Sequence, residues 1–369
     1  MRILFAGGGT AGHITPAISI AEFMKKEYPK TEIAFVGRNN GAENNAIIRD
    51  GYKLFTIDIQ GFRRSVSSYN IKTALKLVKS FKAARDIINS FSPDIIIGTG
   101  GYVCYPILKI GHKMKIPCLI HESNAYPGIV TRIMGRKCNK VMLGMKEAEK
   151  YLTKCKSVET VGNPIRDKFT LLTKQKSRKE QGISENEIFI ISFGGSIGAK
   201  KINDAVAEYM NEYAIKNPKI KHIHATGRAD FERIKKLYPE LCTKNGKCRI
   251  LPYIDNMPEL LSAADISITR SGAMTIAEIK ASGCCPILIP SPNVTANHQL
   301  HNAKSLAKER YAIIIEEDDL EAKKISENID RIIGERKRAA SLYNNKFTYE
   351  AKKCKRTIAN IIIEESKAQ

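Results

Sequence analysis

Tryptophan is absent from the chain, and aromatic residues as a whole make up only 7% of its 369 positions. Nucleic-acid-binding modules interleave aromatic side chains with basic ones, and none of their motifs is present, so nucleic acid is not expected as a partner. Long apolar runs are missing too: none approaches the roughly 18 residues of a membrane span. The first one, Ile3 to Ala6, meets glycines too soon to serve as a signal-peptide core, which predicts a cytoplasmic chain. Cys-x-x-Cys spacing does not occur among the nine cysteines, which include the adjacent pair Cys284 and Cys285. Neither a disulfide framework nor a zinc site is therefore suggested. Acidic residues are scarce beside basic ones, 38 against 60, leaving a net charge of +22. Such a balance points to anionic substrates, to an anionic membrane face, or to a generally lysine-rich proteome.

What is present describes a soluble globular chain, 43% hydrophobic and 27% charged, long enough for two domains. Strand and helix signals alternate, as in parallel sheets covered by helices. Arg2–Gly7, Glu32–Gly37, Lys53–Ile59, Asp94–Gly98, Ile116–Glu122, Val141–Gly144 and Val158–Gly162 read as strands of a first sheet. His13–Tyr28 reads as a helix that tolerates Pro16 in its first turn, and Asn70–Phe91 has helical apolar spacing. Gly162-Asn163-Pro164-Ile165-Arg166 resembles a hinge. A second series follows: Ile188–Phe193, His222–Thr226, Arg249–Ile254, Ile266–Thr269, Ile287–Pro290 and Ala312–Glu316, with a helix from about Tyr343 to the end. Each half opens with a strand, a glycine-rich turn and a helix. The expected architecture is α/β, with two Rossmann-like parallel-sheet domains facing across a cleft, spanning 1–162 and 163–344.

The stretch Ile266–Glu278 carries most of the chemistry. A short β-branched run ends in Arg270-Ser271-Gly272, and a helix-forming segment starts directly after it. In a parallel sheet such a junction lies at the carboxyl edge, where ligands sit. The amides of Gly272 to Thr275 would point at an anion, and Glu278, about one turn on, could hold a ribose diol. That describes a nucleotide-sugar site; an ordinary strand–turn–helix with a surface glutamate has the same pattern.

Gly7 to Gly12 matches the dinucleotide pattern G-x-G-x-x-G, but the next strand ends in Gly37-Arg38 with no acid for a ribose. NAD is disfavoured, and Arg38 leaves NADP as an alternative. His13, opening the helix after this turn, suits a general base, because histidine titrates near working pH. It also fits a purely structural helix start. His121 and Glu122, at the end of one strand, could relay a proton, and Asn124 could bond a sugar; a satisfied buried role is equally open for each. Gly194-Gly195-Ser196-Ile197-Gly198 could hold a diphosphate through amides and the Ser196 hydroxyl. His222 with His224, and His298 with His301, lack a carboxylate at ligand spacing, so no metal is expected. Arg63 and Arg64 precede a lysine stripe, Lys72, Lys76 and Lys79, beside an apolar face. The stripe is either a solvated helix face or a membrane contact.

Taken together, the ordered motifs resemble the MurG family, UDP-N-acetylglucosamine:undecaprenyl-diphospho-muramoylpentapeptide N-acetylglucosaminyltransferases. They are Gly8-Gly9-Thr10-Ala11-Gly12-His13, Gly100-Gly101-Tyr102, His121-Glu122-Ser123-Asn124, Gly162-Asn163-Pro164-Ile165-Arg166, Gly194-Gly195-Ser196-Ile197-Gly198-Ala199, Arg270 to Thr275, Glu278, and His298-Gln299 before Asn302-Ala303. The resemblance implies the two-domain glycosyltransferase B fold, with the last helix, 345–369, returning to the first domain. It implies inverting transfer of N-acetylglucosamine (GlcNAc) from UDP-GlcNAc to the C4 hydroxyl of the muramoyl sugar of lipid I, without a cofactor. The missing Asp-x-Asp, the manganese clamp of another glycosyltransferase class, agrees with a metal-free reaction. By similarity, Thr10, Ala11, Gly12 and Asn124 touch the GlcNAc side of the donor, and Arg166 and Ser196 lie near the diphosphate. Ile254 contacts uracil; Ala273, Met274, Thr275, Ile276 and Ala277 hold phosphates and ribose; Glu278 takes the ribose diol; Gln299 is near the transferred sugar. The implied place of work is the anionic cytoplasmic leaflet, as a peripheral protein. Ala11, Ser123 and Ile197 depart from the family pattern, and no polar role passes to Ser123 or Ile197. A same-fold transferase acting on another lipid, such as diacylglycerol, is the alternative.

Overall fold

The structure is a computed structural model that describes residues 1–41, 44–62, 68–195, 197–243, 246–308, 312–343 and 346–367, with the side chains of 11, 68, 335–343 and 346–349 left aside. The chain forms two compact units, one of Met1–Arg166 with Lys352–Gln369, the other of Asp167–Ala351.

In the first unit the strands are β1 (Arg2–Ala6), β2 (Glu32–Arg38), β3 (Lys53–Ile57), β4 (Ile95–Gly98), β5 (Cys118–Glu122), β6 (Lys140–Leu143) and β7 (Val158–Thr160). They pair in the order β3-β2-β1-β4-β5-β6-β7, and every pairing is parallel. Between them run α1 (Ala11–Glu27), α2 (Asn44–Arg49), α3 (Ser68–Phe91), α4 (Cys104–Lys113) and α5 (Ile129–Met134). Strands such as Ile95-Ile96-Ile97 are apolar at every position because helices cover both faces of a parallel sheet. One face packs Leu4, Val36, Ile96 and Ile120 against Ile88 and Ile107 of the crossing helices. The other packs Ile3, Phe5, Ile97 and Leu119 against Ile14 and Ile18 of α1.

The second unit holds α6 (Lys168–Leu171), α7 (Lys174–Glu180), β8 (Ile188–Phe193), α8 (Lys200–Tyr209), β9 (Ile220–Ala225), α9 (Phe231–Leu237), β10 (Cys248–Leu251), α10 (Met257–Ala263), β11 (Ile266–Thr269), α11 (Ala273–Ser282), β12 (Cys285–Leu288), α12 (His298–Lys308), β13 (Ile313–Ile314) and α13 (Ala322–Tyr343). Its sheet runs β10-β9-β8-β11-β12-β13, again parallel throughout. Buried Asp265 ties α7 to this sheet: it accepts from the Phe189 amide and from Arg178 Nη1, each at 2.9 Å, and Lys174 lies 2.8 Å away.

The final helix, α14 (Lys346–Lys367), supplies Cys354, Ile358, Ala359, Ile361 and Ile362 to the α1 face of the first unit's core. Glu365 accepts from Asn139 Nδ2 at 3.2 Å and fixes its far end.

In both sheets the strand order reverses beside the first strand, between β1 and β4 and between β8 and β11. At such a switch point the two neighbouring loops diverge and leave a crevice at the carboxyl edge. The segments that follow those four strands are the glycine turns at 7–12 and 194–199, Thr99 to Tyr102, and Arg270 to Gly272.

Candidate active site

In the first unit the loops after β1 and β4 are packed into one body. Thr99 Oγ1 donates to the His13 carbonyl at 2.7 Å, and the Gly8 amide donates to the Gly100 carbonyl at 3.4 Å. Gly100 and Gly101 have φ of +119° and +81°, and a Cβ on Gly100 would overlap the His13 ring. Only glycine permits both that backbone and that approach. His13 is half-buried, with its ring laid along the Gly100-Gly101 backbone. Tyr102 stands beside Gly9, where a Cβ would lie 3.2 Å from its ring. Thr10 is the N-cap of α1 and makes no side-chain capping bond; its carbonyl accepts from the His13 amide at 3.2 Å.

Glu122 is the hub of the neighbouring loop. It is buried, and each carboxylate oxygen accepts two hydrogen bonds. One oxygen takes the Asn124 amide at 3.1 Å and Asn124 Nδ2 at 3.0 Å; the other takes the Gly128 amide at 2.9 Å and Thr131 Oγ1 at 2.7 Å. A carboxylate so engaged organises residues 122–131 and aims Asn124. All four of these bonds are made within residues 122–131.

His121 is likewise held by its neighbours. It is 0% exposed; Nε2 lies 3.0 Å from the Gly162 carbonyl, so it carries the proton and donates. Nδ1 is left to accept from Ser123 Oγ at 3.4 Å. Burial pushes its pKa below the ordinary histidine value. It acts as a neutral tie between the end of β5 and residue 162. Asn163 Nδ2 adds a second tie, donating to the Ser123 carbonyl at 3.0 Å.

Arg166 is engaged with two carboxylates of the first unit. Its guanidinium pairs with Asp50 at 2.5 Å and with Glu22 at 3.7 Å. Asp50 directly follows α2 and comes shortly before β3 begins, at the amino edge of the sheet. Ser196 and the Arg63–Arg64 pair fall outside the described residues.

In the second unit β11 ends at Thr269, and α11 opens with Gly272 as its N-cap (φ −65°, ψ 140°). Gly272 has no side chain to cap with, so the amides of Ala273 to Thr275 form an anion-accepting helix start. Ala273, Met274 and Ile276 bury their side chains, which leaves their backbone as the part that can face a ligand. Glu278 lies half-buried on the same helix. Arg270 turns away from the helix start, pairing with Glu317 and donating to the Ile289 carbonyl at 3.3 Å. Ile254, three residues past β10, is buried. Gln299 sits on the first turn of α12, where its Oε1 accepts from the Ser291 amide at 2.9 Å.

Beneath the glycine turn after β8 lies a polar chain that sequence reasoning did not assemble. Ser192 Oγ stands 2.7 Å from His222 Nε2 and 2.8 Å from His224 Nδ1. His224 Nε2 meets Asn203 Oδ1 at 3.2 Å, and Asn203 Nδ2 donates to Asp230 at 2.7 Å. Burial drives both histidines below their usual pKa, His224 to about 4. The alternation of His222 and His224 on one strand face was visible in the sequence; Ser192 and Asn203, far away in the chain, were not.

Known proteins bear the same organisation. Residues 3–143 match the glycosyltransferase family 28 N-terminal domain, and residues 189–358 match the glycosyltransferase family 28 C-terminal domain. An Acetivibrio thermocellus protein named UDP-N-acetylglucosamine--N-acetylmuramyl-(pentapeptide) pyrophosphoryl-undecaprenol N-acetylglucosamine transferase is 39% identical, over 94% of this chain and 93% of its own. A Thermoanaerobacter sp. (strain X514) protein of the same name is 41% identical, over 90% of this chain and 91% of its own. The crystal structure of Acinetobacter baumannii MurG, 24% identical, superposes with a TM-score of 0.71 over 96% of this chain and 94% of that one, and shares the fold. At this identity, sustained through both domains, the chain belongs to the MurG family of UDP-N-acetylglucosamine-dependent glycosyltransferases.

Proposed function

We propose that the protein transfers N-acetylglucosamine from UDP-GlcNAc to the C4 hydroxyl of the muramoyl sugar of lipid I, giving lipid II. The observation that carries this reading is the β11–α11 junction. A helix start with a side-chain-free cap stands at the sheet's switch point, and a carboxylate follows at Glu278. That is the donor set a nucleoside diphosphate requires: amides for phosphate, an acceptor for the ribose diol.

The chemistry is a displacement at C1 of the sugar. The acceptor's C4 oxygen forms a bond to C1, the bond from C1 to the phosphate oxygen breaks, and UDP leaves with that electron pair. Attack from the opposite face inverts the anomeric centre. Charge grows on the diphosphate as it departs, and the amides of Ala273 to Thr275 meet it without reorganising. His13 accepts the proton of the C4 hydroxyl. Thr10, Gly12 and Asn124 hold the sugar side, Ile254 the uracil.

The same reading gives α3 a membrane-facing role. Ile71, Leu75 and Val78 on its outer face are 67%, 60% and 66% exposed, with Lys72 and Lys79 beside them. Lys76 is engaged with Asp58 at 2.8 Å. An apolar strip rimmed by lysines matches a surface of anionic lipid, and no helix among the described residues is long and apolar enough to cross a membrane. The protein then works as a peripheral enzyme on the cytoplasmic leaflet.

The test supplies purified protein with UDP-GlcNAc and a short-chain lipid I, and follows UDP release and the disaccharide-lipid product by mass spectrometry. Product with lipid I and none with diacylglycerol supports the reading; the reverse pattern overturns it. Vesicle co-sedimentation checks the surface: binding should require anionic lipid and weaken with salt. Equal binding to neutral vesicles removes the electrostatic part.

A further inference from the structure

Two hydrogen bonds tie the first turn of α12 to the segment that leads into α11, and a third ties it to the segment that follows β12. Ser271 Oγ donates to the Gln299 carbonyl at 2.8 Å, and Asn302 Nδ2 donates to the Ser271 carbonyl at 3.2 Å. The Ser291 amide donates to Gln299 Oε1 at 2.9 Å. Ser271 and Asn302 are both 0% exposed, so neither can touch a ligand. What they hold is a turn that needs holding. Ala296 and Asn297, just before α12, have φ of +53° and +49°. That region costs an L-residue about 1–2 kcal/mol, and it persists only where the surroundings over-determine it.

The third bond also decides the chemistry of Gln299. A backbone amide can only donate, so the side-chain oxygen must be the atom facing Ser291. The amide nitrogen is thereby the end left over, and among the described residues no protein acceptor meets it. Gln299 can offer a ligand N–H donors alone.

We infer that Ser271 and Asn302 are positioning residues for sugar recognition, acting through Gln299, whose fixed NH2 reads an oxygen of the donor's sugar. This rests on the site being a UDP-sugar site. The nucleotide and the sugar are then read by different parts of the same segment: α11 holds UDP, and the latched start of α12 reports on what UDP carries.

Calorimetric titration with UDP and with UDP-GlcNAc separates the two parts. Wild-type binding of UDP-GlcNAc is the check on the site itself, and its absence would remove the premise rather than the latch. In Ser271→Ala the UDP dissociation constant should stay within about twofold, while that for UDP-GlcNAc weakens by roughly tenfold, the loss of one well-placed hydrogen bond. In a Gln299→Ala background, adding Ser271→Ala should change neither constant by more than about twofold, because the group it positions is gone. Gln299→Glu keeps an oxygen for the Ser291 amide and abolishes the donor. It should lose sugar affinity as Gln299→Ala does, with UDP unaffected, and it tests the proposal even where Ser271→Ala fails to fold. Equal weakening of UDP and UDP-GlcNAc in Ser271→Ala, additive losses in the double variant, or full sugar affinity in Gln299→Glu would each overturn it.

Discussion

Substituting Glu122 by glutamine separates two roles that a cleft-edge carboxylate can play. Both carboxylate oxygens are doubly engaged, so replacing one by NH2 removes acceptor capacity that the loop uses. The least damaging orientation points the new NH2 toward Thr131, whose hydroxyl can reverse and accept. The Gly128 amide then faces a donor and is left buried without a partner, at about 1–3 kcal/mol, and the other bonds lose their charge assistance. The total is about 2–4 kcal/mol, or a melting temperature lower by roughly 5–15 °C for a unit of this size. Because Asn124 takes two of the four bonds, its side chain loosens, and the KM for UDP-GlcNAc should rise more than kcat falls. Differential scanning calorimetry and steady-state kinetics on one preparation give both numbers. A Glu122→Gln protein that melts within about 2 °C of wild type and loses 10²-fold or more in kcat at unchanged KM would mean the carboxylate is the proton acceptor after all.

His13→Ala should lower kcat by about 10²–10⁴-fold, the usual general-base contribution, while UDP affinity measured by calorimetry stays near wild type. Loss of UDP binding together with the rate would make His13 a positioning residue. Glu278→Ala should raise the donor KM by roughly 10–150-fold, equivalent to about 1.5–3 kcal/mol, with a smaller change in kcat; an unchanged KM takes Glu278 out of the ribose site. Acid should destabilise the second unit through His224. Its folded pKa of about 4 lies below the ordinary 6.5, so the unfolded chain binds protons first. Its contribution is complete above pH 6.5 and falls away toward pH 4, about 3 kcal/mol in all. Urea midpoints at pH 7.5 and pH 5 measure it, and a His224→Gln protein with the same pH slope as wild type would assign the loss to other groups.

The sheets were legible because their strands are buried on both faces. Ile95 to Ile97 and Ile188 to Ile191 are unbroken apolar runs, and each ends near a glycine turn that marks the carboxyl edge. The edges of the sheets were read less well. Val158–Gly162 shrinks to β7 (Val158–Thr160) and Ala312–Glu316 to β13 (Ile313–Ile314), because an edge strand has a ladder on one side only, while apolar character continues past it. Site residues fared according to how local their chemistry is. A helix start and the acid one turn later are neighbours in sequence, so Gly272 to Glu278 could be singled out from spacing alone. The tasks of Glu122, Arg166 and Gln299 depend on partners 9, 116 and 8 residues away. Residue type announces that such a group has business somewhere, and only the folded chain says with whom.

The return of α14 to the first unit imposes an order on synthesis. The second unit is continuous in the chain from Asp167 to Ala351 and can complete its core as soon as it leaves the ribosome. The first unit is made earlier, yet it waits for Ile358, Ile361 and Ile362 before the face bearing Ile3, Phe5 and Ile97 is closed. At about 5–20 residues per second that interval is roughly 10–40 s. During it the older unit carries an uncovered apolar strip on a nascent chain. Chaperone dependence should therefore track the arrival of the last helix, and a released chain truncated before residue 352 should display a first unit that is protease-sensitive and a second unit that is not.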